Sequence, residues 1–174
     1  MPKVSGLRSP YAQVGRLVYF GRMLDKIRLN SRGMLPIEYR SNLGDSSHGL
    51  FDARCCRFLG VGYPELKERV LRGESDDEVL AWAHAVGTPR TDDDCTVWNQ
   101  FMMKRGWRDE GRTRLEERLR EAGGFAGKTI ETMFDYIDYD EERDPVLAVL
   151  VAVGEHAAHR RRVHRRVPRH VRHE

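Results

Sequence analysis

Ser75-Asp76-Asp77-Glu78-Val79-Leu80-Ala81-Trp82-Ala83-His84-Ala85-Val86-Gly87 spells a complete helix with both of its ends. Ser75 can accept a bond from the backbone N–H three residues on while Glu78 reaches back to the Ser75 N–H, and three carboxylates sit at the positive end of the helix dipole. Val79, Trp82, Ala83 and Val86 follow at i, i+3, i+4 and i+7, and Gly87 closes the run. The same grammar returns at Thr91-Asp92-Asp93-Asp94, with the stripe Cys95, Trp98, Phe101, Met102 and a stop at Gly106.

Outward from this pair, helix signals continue in both directions. A first helix is predicted from about Tyr11 to Leu29, with Val14, Leu17, Val18, Gly21, Leu24 and Ile27 on one broad face and Arg32-Gly33 as its stop. A turn-prone loop, Arg40 to Gly49, leads to a short helix Ala53 to Leu59 that Asp52 would cap. Pro64 opens the next helix, which carries Leu66 and Val70 and stops at Gly73. A charged helix from about Glu110 to Ala122 has Glu116 and Arg120 at i, i+4 spacing and ends at Gly123-Gly124. A last one, about Thr129 to Asp138, presents Ile130, Met133, Phe134 and Ile137 inward. Six or seven short helices joined by brief loops predict an all-α domain over residues 1–144.

A chain of 174 residues is long enough to bury one core without metal or disulfide staples. A charged fraction of 33% and a mean hydropathy of −0.64 exclude an integral membrane protein. The longest apolar run, Val146 to Val153, falls far short of the roughly 20 residues a spanning helix needs. Met1 to Gly6 has no apolar stretch of the secretory kind, and three cysteines read as reduced thiols, so a cytoplasmic location is expected. The net charge of +3 hides a division. Residues 1–40 balance at +6, residues 41–155 at −9, and residues 156–174 at +6 with five of the seven histidines. That last stretch, almost wholly Arg, His, Val, Ala and Pro, is expected to be disordered, because it cannot bury enough surface to offset its ordering entropy. It could bind nucleic acid through counterion release.

The first helix holds the sharpest chemical feature. Asp25 and Arg28 point from the apolar arc, whereas Arg22 and Lys26 flank it outward. A carboxylate and a guanidinium three residues apart must pair if a core encloses them. The functional reading is a polar pocket in which Arg28, helped by Arg22, grips an anion and Asp25 serves as acid–base group; the alternative is a structural ion pair that fixes helix packing. His48, Asp52, Cys55 and Cys56 form a second cluster. Adjacent cysteines lack the C-x-x-C spacing that brings two sulfurs to one metal, and Asp52 is accounted for as a cap. Asp135, Asp138 and Asp140 with Glu141 and Glu142 fail the calcium-loop pattern, which would require glycine where Arg143 stands, and they read as an acidic helix end passing into solvent. Trp82, Trp98 and Trp107 read as core or core-edge aromatics. No phosphate-binding loop, dinucleotide fingerprint or hydrolase motif occurs. No metal is expected and no cofactor is assigned.

Leu7-Arg8-Ser9-Pro10-Tyr11 and Tyr19-Phe20-Gly21-Arg22-Met23-Leu24-Asp25-Lys26-Ile27-Arg28 resemble the opening of a bacterial family, the domain-of-unknown-function family 5069. Phe51-Asp52-Ala53-Arg54-Cys55-Cys56, Glu78-Val79-Leu80-Ala81-Trp82, Trp98-Asn99, Lys104-Arg105-Gly106-Trp107 and Met133-Phe134-Asp135-Tyr136-Ile137-Asp138 continue the resemblance to about Asp144. It carries over no activity, cofactor or site residue. The expected function is therefore a small-anion site near the first helix, with Arg22, Arg28 and Arg54 receiving the anion beside Asp52 and Asp25 as the acid–base candidate. Whether that site is enzymatic stays open. The rival is a protein-interaction module without chemistry.

Overall fold

The computed structural model describes residues 3–145. The apolar run 146–153 and the basic stretch 156–174 lie outside the described residues. Within them the chain is mostly helical, with a two-stranded hairpin: β1 Gln13–Val14, β2 Leu17–Val18, α1 Phe20–Ser31, α2 Ile37–Arg40, α3 Phe51–Leu59, α4 Tyr63–Leu71, α5 Asp76–Val86, α6 Asp92–Lys104, α7 Arg112–Ala122 and α8 Met133–Asp140.

The hairpin corrects the expected long first helix. Val14-Gly15-Arg16-Leu17 is a two-residue antiparallel turn pairing Gln13 with Val18 and Val14 with Leu17. Gly15 takes φ 58° at the first central position, where glycine alone is unstrained. Its free edge is satisfied by α6 instead of by a third strand. The Asn99 side chain accepts the Val18 N–H at 3.1 Å and donates to the Arg16 carbonyl at 2.8 Å, and Trp98 donates its indole N–H to the Val18 carbonyl at 3.3 Å. The helix begins only at Phe20, after Tyr19 turns the chain at φ 70°.

Helix α1 runs through the middle of the molecule and is buried on nearly all sides, nine of its twelve residues being enclosed. It packs on α4 and against the hairpin, while α4 joins α3 to α5 and α8 joins α6 to α7. The main core gathers Val18, Phe20, Met23, Leu24, Leu59, Leu66, Val79, Met102 and Phe134, and a smaller one forms from Val4, Leu7, Leu29, Leu35 and Tyr39. Such enclosure overturns the outward placement of Arg22 and Lys26, both of which are buried.

Capping went largely as the sequence dictates. Full capping boxes close Ser75 with Glu78 and Thr91 with Asp94, and α8 starts from a third, Thr132 with Asp135, three residues later than the spacing indicated. Asp52 is not a cap: α3 starts at Phe51 after Leu50, and the carboxylate turns into the core. Glu116 pairs with Arg112, one turn before it, at 2.7 Å. The acidic end of α8 does not pass into solvent, since Asp138 and Glu141 are fully buried. Phe101, expected inward on α6, is substantially exposed. No helix among the described residues is long and apolar enough to cross a membrane.

Candidate functional site

A cavity of about 760 Å3 opens between α1, the segment from α2 to the start of α3, α7 and α8. This is within the usual size range for a small-ligand site. Arg22 and Lys26 of α1, four residues apart and so on one side of the helix, supply one wall together with Tyr19, the residue just before its first turn. Tyr39 comes from α2, Asn42, Gly49 and Phe51 from the loop and the first turn of α3, and Met133, Tyr136, Ile137 and Glu141 from α8 and its end. Arg105, Arg114 and Arg118 add positive charge to the lining, and Glu38, Glu121 and Asp140 add negative charge.

Two buried ion pairs form the floor. Lys26, 2% exposed, donates to Asp52 Oδ1 at 2.6 Å, to the Tyr19 hydroxyl at 3.0 Å and to the Asn42 carbonyl at 2.8 Å. Tyr19 in turn donates to Asp52 Oδ1 at 2.9 Å, and the Gly44 N–H reaches Asp52 Oδ2 at 3.0 Å. Burial holds the Lys26 amine below its ordinary range against the pull of Asp52, and it pushes the Tyr19 phenol up, with the Asp52 charge adding to that. One turn earlier, Arg22 forms a two-pronged pair with Glu141, its NH1 donating to Oε2 at 3.1 Å and to the Arg8 carbonyl at 2.6 Å. Tyr39 donates to Glu141 Oε1 at 2.9 Å and Arg143 pairs with the same carboxylate. Burial works to raise the Glu141 carboxyl, but Arg22 and Arg143 together hold it below its usual value. Asp138 goes the other way, raised by burial.

The residues singled out in the sequence separate into two groups. Arg22 lines the cavity, and Asp52 stands behind it as the partner of Lys26. Arg54 lies at its edge: its Nε donates to the Gly49 carbonyl at 3.4 Å, and its guanidinium sits 5.6 Å from the Phe101 ring centre, on which Arg105 also stacks at 6.0 Å. Arg54 forms no ion pair with a carboxylate among the described residues; burial, then Arg105 and Arg57, lower its pKa against the pull of Glu110 and Asp109. Asp25 and Arg28 lie elsewhere. Asp25 is clamped by Arg8 through Nε and NH2, each at 2.7 Å, and Arg28 turns to Asp76 at 2.6 Å, leaving Asp25 and Arg28 3.9 Å apart. Arg8 closes the ring onto Asp76 at 2.7 Å. Gly21 admits this arrangement, since a Cβ there would come within 2.7 Å of the Arg8 guanidinium carbon. The network ties α1 to the start of α5 and borders a shallower hollow of about 470 Å3.

His48 is exposed, and its carbonyl accepts from Arg57 at 2.8 Å. Cys55 and Cys56 are buried free thiols, both pushed up by burial, Cys56 to about 12, so neither is a thiolate near neutral pH. No group of three or more metal-ligating side chains occurs among the described residues. Sequence reasoning missed Tyr19, Lys26, Tyr39, Arg105 and Glu141. The one signal available was the apolar density around α1, which is too high for either flank of that helix to face water.

Comparison with known proteins places these features in a family without adding a function. The family described as Domain of unknown function (DUF5069) matches residues 4–143. Neither curated proteins nor solved structures give a match. The matched span contains the hairpin, all eight helices of the described residues and both buried ion pairs. The chain belongs to the DUF5069 family.

Proposed function

We propose that the cavity between α1, α3, α7 and α8 binds a small organic anion. The observation that carries this reading is Arg54: a half-buried guanidinium without a carboxylate partner among the described residues, beside Arg105 and against the rim residue Gly49. Arg105 is itself paired with Asp109 and Glu110, so Arg54 is the guanidinium at this corner with no carboxylate in ion-pair contact among the described residues, and an arriving anion would supply one. Phe51, Tyr136 and Ile137 offer the anion's carbon skeleton an apolar surface, and the polar floor lies beneath. In this reading Arg22 and Asp52 shape the floor, while Asp25 and Arg28 hold α1 to α5.

A thermal-shift panel of the full-length protein against inorganic phosphate, simple carboxylates and phosphorylated metabolites tests it. A ligand present at ~100 times its dissociation constant adds about 2.7 kcal/mol and raises the melting temperature by several degrees. The expected result is a shift that Arg54→Gln abolishes and that Arg28→Gln, although less stable, retains. A flat response across the panel, or a shift indifferent to Arg54, contradicts the reading. The flat outcome would favour an interaction module, for which Val97 and Phe101, both exposed at i, i+4 on α6, are the apolar candidates.

A further inference from the structure

Lys26 is a potential nucleophile on the cavity wall that anion binding leaves unused. The chain has five lysines against 25 arginines. Lys3, Lys67, Lys104 and Lys128 are exposed, and Lys26 alone is buried, at the cavity. Where the fold neutralises other enclosed carboxylates it uses arginine: Arg8 on Asp25, Arg22 and Arg143 on Glu141, Arg143 on Asp138. Arginine keeps its proton under any burial, whereas lysine can give it up and become a nucleophile. Two surroundings favour the free amine, enclosure away from water and, less strongly, the second cation Arg22 one helical turn away, and they work against the pull of Asp52, which is also the group placed to take the proton. Its neighbour Tyr19 is held at φ 70°, a region bulky side chains rarely occupy, and there its hydroxyl is within hydrogen-bond distance of both the amine and Asp52, which also touch each other directly. Strain of this kind, sustained at a cavity wall, points to a group held in place for chemistry.

Resting on the anion-binding reading, we infer that Lys26 forms an imine with an aldehyde or ketone that carries an anionic group, of which a 2-oxo acid is the smallest example. The steps use groups already in contact. The Lys26 ammonium passes one proton to Asp52, and the freed nitrogen pair bonds to the carbonyl carbon as the C=O pair moves onto oxygen. That oxygen takes the Tyr19 proton, and the Tyr19 oxygen then takes one back from nitrogen, leaving a neutral carbinolamine. Asp52 returns its proton to the new hydroxyl, which leaves as water while the nitrogen pair closes the C=N bond. The product is a protonated imine beside an Asp52 carboxylate, so the buried charge pair is restored at the end. The anionic group of the substrate faces the rim, toward Arg105 and Arg54.

The test is reductive trapping on the full-length protein. Glyoxylate and pyruvate, each with sodium cyanoborohydride, are followed by intact mass and peptide mapping, with thermal shift measured on the same two acids. The expected result is a single adduct on Lys26, absent from Lys26→Arg and formed at least tenfold more slowly in Tyr19→Phe. Labelling confined to the four exposed lysines, or no labelling, overturns the inference. If the acids raise the melting temperature without an adduct on Lys26, the imine is wrong and the binding reading stands. If they do neither, the imine fails, and the wider panel judges the binding reading. The wild-type mapping decides the matter even if a variant fails to fold.

Discussion

At the scale of single residues, the defining feature is charge placed inside the core. Arg22 with Glu141 and Lys26 with Asp52 are enclosed almost completely. Removing one member of such a pair leaves the other charged and unsolvated, a loss of about 3–5 kcal/mol. Glu141→Gln is therefore expected to lower unfolding stability in urea by that amount, because Arg22, Arg143 and Tyr39 all point at the lost charge. The pH dependence has a definite sign. The Glu141 carboxyl is held below its ordinary value of 4.5, so its contribution is fully present above pH 4.5 and is lost as the pH falls through the depressed value. Asp138, raised by burial, acts in the opposite sense and is less unfavourable in acid. Comparing acid unfolding of the wild type with that of Glu141→Gln isolates the first effect: the variant should show the shallower loss between pH 4.5 and lower pH.

Elements are decided by local chemistry wherever that chemistry is unambiguous. The three capping boxes mark the starts of α5, α6 and α8, and two of them could be read from residue spacing alone. Thr91→Ala should cost about 1 kcal/mol by losing a bond to an otherwise orphaned N–H, visible as a lower urea midpoint. The hairpin is a different case. Val14, Leu17 and Val18 have the spacing of a helical face, and only Gly15 with its two-residue turn argues for a strand pair. The decision came from α6, whose Asn99 and Trp98 supply the hydrogen bonds a lone two-stranded ribbon lacks. Gly15→Ala is expected to destabilise by about 1 kcal/mol or more through its positive φ, and the added methyl would press on Leu80 at 2.7 Å. Unfolding by urea measures this too, and an unchanged midpoint would mean the turn relaxes at no cost.

Across the whole molecule, the two ends of the described chain are fastened together. Ser9 donates to Asp138 at 2.6 Å, Tyr11 to Asp135 at 2.7 Å, and Arg143 to the Leu7 carbonyl, all across more than 120 residues of sequence. Helix α8 thereby completes both the core, through Phe134, and the cavity, through Tyr136, Ile137 and Glu141. A chain ending at Gly127 should consequently lose its cooperative thermal transition, since Arg22 would be left without its carboxylate. A chain ending at Asp144 keeps every one of these bonds and should melt within about 2 °C of the full-length protein. Circular dichroism melts of the two truncations check both outcomes, and a cooperative melt from the shorter chain would show that α8 is dispensable.

From residue order alone came the helical character, the capped starts of α5 and α6, the glycine stops and the presence of ionic groups on α1. These depend on contacts within four residues, where spacing is geometry. The pairings could not be read in the same way. Asp25 and Arg28 are three residues apart, yet each found a better partner, Arg8 and Asp76, 17 and 48 residues distant. Lys26 met Asp52 26 residues away, and Arg22 met Glu141 119 residues away. A buried charge takes the partner that the packing of whole helices brings within reach. Only the tertiary structure therefore settled which face of α1 borders the cavity, and that it is the face of Tyr19, Arg22 and Lys26.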